Sequence, residues 1–365
     1  MSNIKQLVTG IAFDLGFHGI GISLANDLDS SNKNFLEWRE KGYAADMNYL
    51  LREDPINAKP RRILNEAKSI ITLMVNYYTE CPPDPGPDYG RVATYAVGLD
   101  YHKVIRKKIK QFQEKIQKEV GGCFISKGFS DSVPLLEKSV AQNSGLGFRG
   151  KHTLIINKVL GSYFFISELI SNLDLEPTEK ASGTCGSCTR CIDICPTQAL
   201  GVGTSPDLPS LDSRKCISYQ TIENRSMIPE EIRNGIGEWL FGCDLCQIAC
   251  PYNNIKSKKI KETDWKEFCP ESGVGHWIKL SDILSIKTED EFHYKFCRTP
   301  LTRSKRSGLL RNAAIVAANK KSEESLPHLK WLAENENDLV IREHARWALS
   351  EYETKHHFKF LINSL

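Results

Sequence analysis

No stretch of about 18 consecutive apolar residues occurs anywhere in the chain, so no membrane span is expected. The start, MSNIKQLVTGIAFDLGF, has no basic end leading into an apolar block and a small-residue cleavage site. Instead Ile4, Leu7, Val8, Ile11 and Leu15 recur at helical spacing, which predicts a packed amphipathic helix and a cytoplasmic address. No G-x-G-x-x-G run follows a strand, so no dinucleotide-binding turn is expected. Charge of one sign is also scarce: a net +3 is too small to imply a nucleic-acid partner by itself. What remains is ordinary, with 41% hydrophobic and 25% charged residues, as in soluble globular proteins. At 365 residues the chain exceeds one typical core, so two or three domains are expected.

Cysteine is the exception. There are 12, and Cys185, Cys188, Cys191, Cys195, Cys216, Cys243, Cys246 and Cys250 crowd into about a fifth of the chain, a clustering that points to metal rather than to a disulfide framework. Cys81, Cys123, Cys269 and Cys297 stand apart and are expected to be small buried hydrophobes.

The stretch TCGSCTRCIDICPTQAL reads C-x2-C-x2-C-x3-C-P, ending on Pro196. This is the bacterial ferredoxin run, in which three cysteines hold one 4Fe–4S cluster and the fourth reaches the other. Two-residue gaps let a loop bring three thiolates to different corners of one cube, and the proline keeps the chain from folding back over it. The second run, FGCDLCQIACPYN, gives Cys243, Cys246, Cys250 and Pro251, but Leu240 stands where its first cysteine belongs. Cys216, in RKCISY, is the replacement. By the crossing rule Cys185, Cys188, Cys191 and Cys250 bind one cluster, and Cys195, Cys216, Cys243 and Cys246 the other. Paired zinc knuckles share the C-x2-C pairs but not two reciprocal C-x3-C-P endings. Two clusters form a wire, and a wire needs a terminus, so the amino-terminal half is expected to hold a second redox centre.

The pattern changes along the chain. Up to about residue 180, β-rich runs (Ser69–Val75, Thr153–Ile156, Ser162–Ile166) alternate with helical stretches such as Tyr101–Val120, which reads as α/β. Cys81 to Gly90, CPPDPGPDYG, is a proline-rich loop. Residues 181–257 carry the cysteines on short helices and Gly/Pro loops. After Trp265, apolar stripes and a loosely repeated theme, Arg311-Asn-Ala-Ala beside Arg342-Glu-His-Ala, predict a stacked helical tail of HEAT type. Basic residues gather in three runs: Lys103, Arg106, Lys107, Lys108 and Lys110; Lys256, Lys258, Lys259 and Lys261; and Arg298, Arg303, Lys305, Arg306 and Arg311. One such run reads as a solvated helix face; three make an anionic partner plausible.

Several amino-terminal blocks resemble those of epoxyqueuosine reductases: FLEWREKGYAADMNYLLRE (Phe35–Glu53), RVATYAVGLDYHKVIRKKI (Arg91–Ile109) and FSDSVPLLEKSVAQNSGLGFRGKHTLIIN (Phe129–Asn157). GSYFFISELI (Gly161–Ile170) and RKCISYQTIENRSMIPEEIR (Arg214–Arg233) fit the same family, from near residue 4 to about 257, and the helical tail fits its longer members. The resemblance implies an α/β cobalamin-binding catalytic domain over 1–180, a bacterial-ferredoxin-like module with two 4Fe–4S clusters over 181–257, and an all-α HEAT-like C-terminal repeat over 265–365. The implied activity is reduction of the epoxide of epoxyqueuosine, at the tRNA wobble position, to queuosine.

In that family cob(I)alamin opens the epoxide, fed with single electrons by the clusters. Asp131 matches the family's proton donor. An ordinary Asp titrates at about 3.9, so burial is expected to raise Asp131 if it is to carry a proton near neutrality. Without the resemblance Asp131 would read as a turn residue. Implied cobalamin contacts are Tyr95, Tyr101, His102, Gly145, Gly147, Gly150, Lys151 and His152. No D-x-H-x-x-G run is present, so no side chain is expected to replace the cofactor's own base. The implied partners are tRNA bearing epoxyqueuosine in the anticodon loop and a low-potential electron donor. Arg298, Arg303, Lys305, Arg306 and Arg311 are assigned to phosphates, and a monomer is expected. Two other readings remain: a cobalamin-dependent reductive dehalogenase, and a non-catalytic ferredoxin-type electron carrier.

Overall fold

The computed structural model describes residues 3–51, 58–131, 133, 135–202, 210–253 and 260–362. Its strands are β1 (Gly19–Leu24), β2 (Ser69–Asn76), β3 (Tyr89–Val92), β4 (Ser126–Phe129), β5 (Phe148–Arg149), β6 (Ile155–Ile156), β7 (Phe164–Ser171), β8 (Trp239–Phe241) and β9 (Trp277–Lys279). The main sheet has the order β1-β2-β7-β4, antiparallel throughout. Its two central strands are buried almost throughout because both faces are covered. One face packs on Val8 and Ile11 of the helix Asn3–Asp14 and on the helix Tyr101–Val120. In the latter, Ile105, Ile109, Phe112 and Ile116 fall on one stripe, each stabilising the fold by roughly 1.5–3 kcal/mol on burial. The Asp100 side chain caps it, accepting from the His102 backbone N–H, and Gly121 at φ +85° ends it. The opposite face carries the helix Glu137–Asn143, whose end approaches so closely that a Cβ at Gly21 would lie 2.1 Å from the Ser144 carbonyl oxygen.

A second sheet, β8-β3-β9, takes one strand from each third of the chain. Arg91 on β3 lies between Trp239 (4.6 Å to the ring centre) and Trp277 (5.6 Å) and pairs with Glu238 at 2.9 Å. The largest apolar cluster runs without a break from Val92 and Val97, through Ile217–Phe241, to Ile278–Tyr352. The expected divisions near 180 and 257 therefore separate sequence patterns but not cores. At the centre of this cluster lies the helix Lys305–Lys320, buried from Gly308 through Ala318, with the helices Leu326–Asn335 and Leu339–Ile362 beside it.

Some expectations shift. Thr153–Ile156 shrinks to the two residues of β6, and Ser162–Ile166 moves to Phe164–Ser171, because Asn157 and Gly161 close a turn between them. Two glycines mask β1 in the sequence. Cys81, Cys269 and Cys297 are only partly buried and Cys123 is exposed, so none of the four is the buried hydrophobe expected. No described helix is long and apolar enough to cross a membrane.

Candidate active site and cluster sites

The eight clustered cysteines fall into two groups. Cys185 and Cys188 lie on a tight turn, with the Cys188 N–H donating to the Cys185 carbonyl at 3.1 Å, and Cys191 follows on the one-turn helix Arg190–Asp193. Burial pushes the Cys191 thiol up to about 11, aided by the neighbouring thiols of Cys185, Cys250 and Cys188. Cys250 in turn feels Cys185 and Cys188. Cys216 is pushed up to about 12 by burial and then by Cys195, and Cys246 rises through burial and then Cys216, Asp244, Cys191 and Cys195. Cys243 is raised by burial and by Cys216 and Cys246. Spatially, then, Cys185, Cys188, Cys191 and Cys250 neighbour one another, as do Cys195, Cys216, Cys243 and Cys246. Among the described residues, no three Cys, His, Asp or Glu side chains close around a point that a single ion would take. Corners of a four-iron cube stand farther apart than that.

The two groups differ in their surroundings. Of the first, Cys185 and Cys188 line a shallow surface groove with Gly186, Thr189 and Pro251, while Cys191 and Cys250 are buried. Lys151 spans it, donating from Nζ to the Gly186 carbonyl (2.8 Å) and the Cys188 carbonyl (3.0 Å), and from its backbone N–H to Cys185 Sγ (3.4 Å). Lys151 is thus engaged by the cysteine loop. The second group faces inward. Asp244, buried between Cys243 and Cys246, accepts from the Thr94 N–H at 2.7 Å, and the Cys246 thiol acts on Tyr77, Tyr163 and Lys138.

Tyr77 and Lys138 border an open cleft of about 240 Å³. Tyr95, Tyr101 and Phe165 form one wall, with the Tyr101 and Phe165 rings stacked at 4.3 Å; Leu154, Ile155 and Ile166 line another. Asp131, Glu137 and Lys138 close the polar end. Asp131 has a left-handed backbone, φ +50°, uncommon for a residue with a side chain. Its Oδ2 accepts from the Tyr101 hydroxyl at 2.6 Å and lies 3.6 Å from His102 Nε2; Asp100 Oδ1 is 3.0 Å from His102 Nδ1. Burial opposes charge on His102, but the carboxylates of Asp100 and Asp131 raise it to about 9. For Asp131 the expectation is overturned. Burial pushes its carboxyl up, yet hydrogen bonds from His102 and Tyr101 and the His102 charge outweigh this, leaving it below its ordinary value.

Sequence reasoning missed Glu137, Lys138, Tyr77 and Glu168. The adjacent charges of Glu137 and Lys138 inside an otherwise apolar stretch were the available signal. Glu168 is fully buried on β7, and neither of its oxygens has a hydrogen-bond partner. The remaining assigned residues are placed as follows. Cβ atoms at Gly145 and Gly147 would strike the carbonyls of Glu179 (2.3 Å) and Ile156 (2.4 Å), and one at Gly150 the Ile156 side chain (2.5 Å). All three are small because the protein packs on itself there. Their G-x-G-x-x-G spacing follows a helix and turns into β5, not off a strand. His152 is buried and neutral, lowered to about 4 by burial and then by Lys138; Nδ1 accepts from the Leu154 N–H, and Nε2 has no partner.

Of the basic run in the tail, Arg298, Arg303 and Lys305 are exposed. Arg303 pairs with Glu223 (2.8 Å), covers Tyr49, and feels the Asp131 charge, which places it near the cleft. Arg306 and Arg311 are corrected: both are buried and cannot reach a phosphate. Arg306 is held by Glu336 and the Ile286 carbonyl, and Arg311 by the carbonyls of Gln220, Asn224 and Ser226. The run Lys103–Lys110 is mostly the solvated face of its helix. Lys256, Lys258 and Lys259 lie outside the described residues.

Comparison with known proteins adds to this geometry. Residues 58–132 match the family described as "Epoxyqueuosine reductase QueG, DUF1730", and residues 184–253 match "4Fe-4S double cluster binding domain". The chain is similar to an epoxyqueuosine reductase of Pseudomonas aeruginosa, 37% identical over 362 residues that cover 96% of this chain and 95% of the relative. It is similar in structure to an epoxyqueuosine reductase crystallised with an epoxyqueuosine-modified tyrosine tRNA stem loop (TM-score 0.84, 29% identity, 96% of this chain and 91% of that one). A third likeness is to the Bacillus subtilis epoxyqueuosine reductase with an aspartate catalytic loop swung out of its active site (TM-score 0.83, 29% identity, 96% and 91%).

Proposed function

Because the chain belongs to the epoxyqueuosine reductase family, we propose that it reduces the epoxide of tRNA-borne epoxyqueuosine to the alkene of queuosine in the Tyr101–Asp131 cleft, with cobalamin and two 4Fe–4S clusters. It is an oxidoreductase carrying a double-cluster module. The observation that supports the rest is the shared wall of the cleft: the Cys246 thiol and the Asp131 carboxyl both act on Lys138. One-electron chemistry and acid chemistry are thereby brought to one place.

Cys185, Cys188, Cys191 and Cys250 would hold one cluster, and Cys195, Cys216, Cys243 and Cys246 the other; the chemistry supplied there is one-electron transfer. The cleft's residues also fit cobalamin. The aromatic wall of Tyr95, Tyr101 and Phe165 and the aliphatic Leu154, Ile155 and Ile166 suit the apolar faces of a corrin. Low-potential reduction of the epoxide is what the bound cofactor would supply. This chain's residues do the rest. Tyr101 and His102 orient Asp131, and Asp131 delivers protons to the departing oxygen. Arg298, Arg303 and Lys305 offer charge to phosphates of a loop whose modified base must be splayed out to enter the cleft.

Anaerobic reconstitution tests this reading. About eight irons and one cobalamin per chain are expected, with conversion of epoxyqueuosine to queuosine in hydrolysed tRNA. Zinc in place of iron, or no cobalamin uptake, would overturn it, and iron without turnover would leave an electron carrier. Asp131→Asn should keep all cofactors yet abolish turnover. Arg303→Ala should lessen the salt dependence of tRNA binding, its log–log slope shrinking by about one.

A further inference from the structure

Turning an epoxide into an alkene and water breaks two C–O bonds, forms one C=C π bond, and consumes two electrons and two protons. Electrons come one at a time from an external low-potential donor. The protons have no evident store, because Asp131 sits between donors, Tyr101 and His102, and so is arranged as a carboxylate.

Beside it stands an acid with no assigned role. Glu137 opens the helix Glu137–Asn143, lines the cleft, and accepts the Asp131 backbone N–H on Oε1 at 2.8 Å. Behind it on β7 is Glu168, with no accessible surface and, among the described residues, no hydrogen bond to either oxygen. Its cross-strand neighbour Thr72 likewise has an unpartnered hydroxyl. Carboxyls this close do not all ionise readily. Glu168 has no accessible surface and Glu137 is half-buried, whereas the Asp131 side chain is 63% exposed, so the charge settles on Asp131, where water and donors reach it. Asp131 has two side-chain donors beside it, Tyr101 and His102, against the single backbone N–H given to Glu137.

We infer that Glu137 is the proton store of this cleft, that Asp131 is the arm which takes the proton from it to the departing oxygen, and that Glu168 is kept as a neutral acid behind both. The inference rests on the reductase reading above. In each of two passes the Glu137 O–H bond breaks, the proton moves to Asp131 and on to the epoxide oxygen, and Glu137 is recharged from water. The groups facing Glu137 are consistent with this. Asp131 (loop after β4) and Glu168 (β7) oppose its ionisation; Lys138 on its own helix and His102 on the helix Tyr101–Val120 only partly offset them. Burial first, and then the Asp131 charge, raise Glu137 to about 8. Glu137 touches neither substrate nor cofactor in this scheme, so it is a positioning and proton-holding residue.

Infrared titration of the cobalamin-free, cluster-loaded protein is the test that needs no turnover. Wild type should show a protonated-carboxyl band lost with a midpoint near pH 8, and Glu137→Gln, which keeps an acceptor for the Asp131 N–H, should lack it. Glu168→Gln should remove a different band, one that persists to higher pH. A wild-type spectrum with no protonated carboxyl at pH 7 overturns the inference whether or not the variants fold, and so does a Glu137→Gln spectrum with every band intact. With substrate, Glu137→Gln should lower turnover by about 100-fold or more, leave KM for the tRNA and iron content unchanged, and flatten the alkaline limb of the pH profile. An unaltered rate and profile refute it. Wild type that binds cofactors but never reduces epoxyqueuosine would refute the reductase reading instead, while the infrared result stands independently.

Discussion

The two cysteine groups share a spacing rule and little else. The first hangs on a surface loop braced by one long cation, Lys151, reaching two carbonyls. The second is walled by the largest core, and its brace is Arg311, almost wholly buried, reaching three carbonyls of residues 220–226 just after Cys216. The same device, a cation gathering the backbone of a ligand loop, is used once in water and once in the core. The difference teaches that the two cysteine loops are anchored in different surroundings, one at the surface and one against the core.

That contrast can be broken. The largest effect is expected from Cys246→Ala, which should abolish turnover and lower Tm, because it empties a site inside the core. Cys188→Ala should also stop turnover but leave Tm within a few degrees; iron analysis and thermal unfolding distinguish the two. Equal losses of Tm would erase the distinction drawn here. Arg311→Ala comes next. It strands buried carbonyls of Gln220, Asn224 and Ser226 and should cost about 3–5 kcal/mol in denaturant unfolding. Burial lowers this arginine to about 9, with Arg225 adding to the effect, so it is still charged at pH 7 and the loss should be full there. Lys151→Ala removes charged hydrogen bonds nearer to water and should cost about 1–2 kcal/mol, seen chiefly as faster bleaching of the first cluster under oxygen.

The smallest effect extends the comparison to the acid end of the cleft. His102 is raised to about 9, so its pairing with Asp100 and Asp131 stabilises the fold fully below about 6.5 and is lost as pH rises through 9. Its side chain is 38% exposed, so solvent screening keeps the contribution small. His102→Gln should remove only a shallow decline in Tm between those values.

How much of this was legible depended on distance along the chain. The candidate cluster ligands stand out because their spacing is local, and Cys216 was proposed by counting a missing partner. The acids could not. Asp131, Glu137 and Glu168 meet only after β7 is laid beside β4, and nothing near Glu168 in FFISELIS marks a carboxyl that will lose all water. Charge misled in the tail, since Arg306 and Arg311 look identical to surface arginines by type. Their neighbours held the clue: a polar pair, Arg311-Asn312, embedded in an alanine-rich run is more consistent with an enclosed helix than with a phosphate grip. Glycine misled likewise, because Gly145, Gly147 and Gly150 make room for the chain's own carbonyls and side chains.

The small sheet of β3, β8 and β9 has a consequence for biogenesis. Its outer strand, with Trp277, is synthesised after every cysteine of both groups, yet it flanks the strand that pairs with β8 just ahead of Cys243. A nascent chain paused after Cys250 would own all eight thiols without the indole that completes the stack on Arg91. A chain that ends before Trp277 therefore keeps every candidate ligand but lacks one of the two rings that flank Arg91.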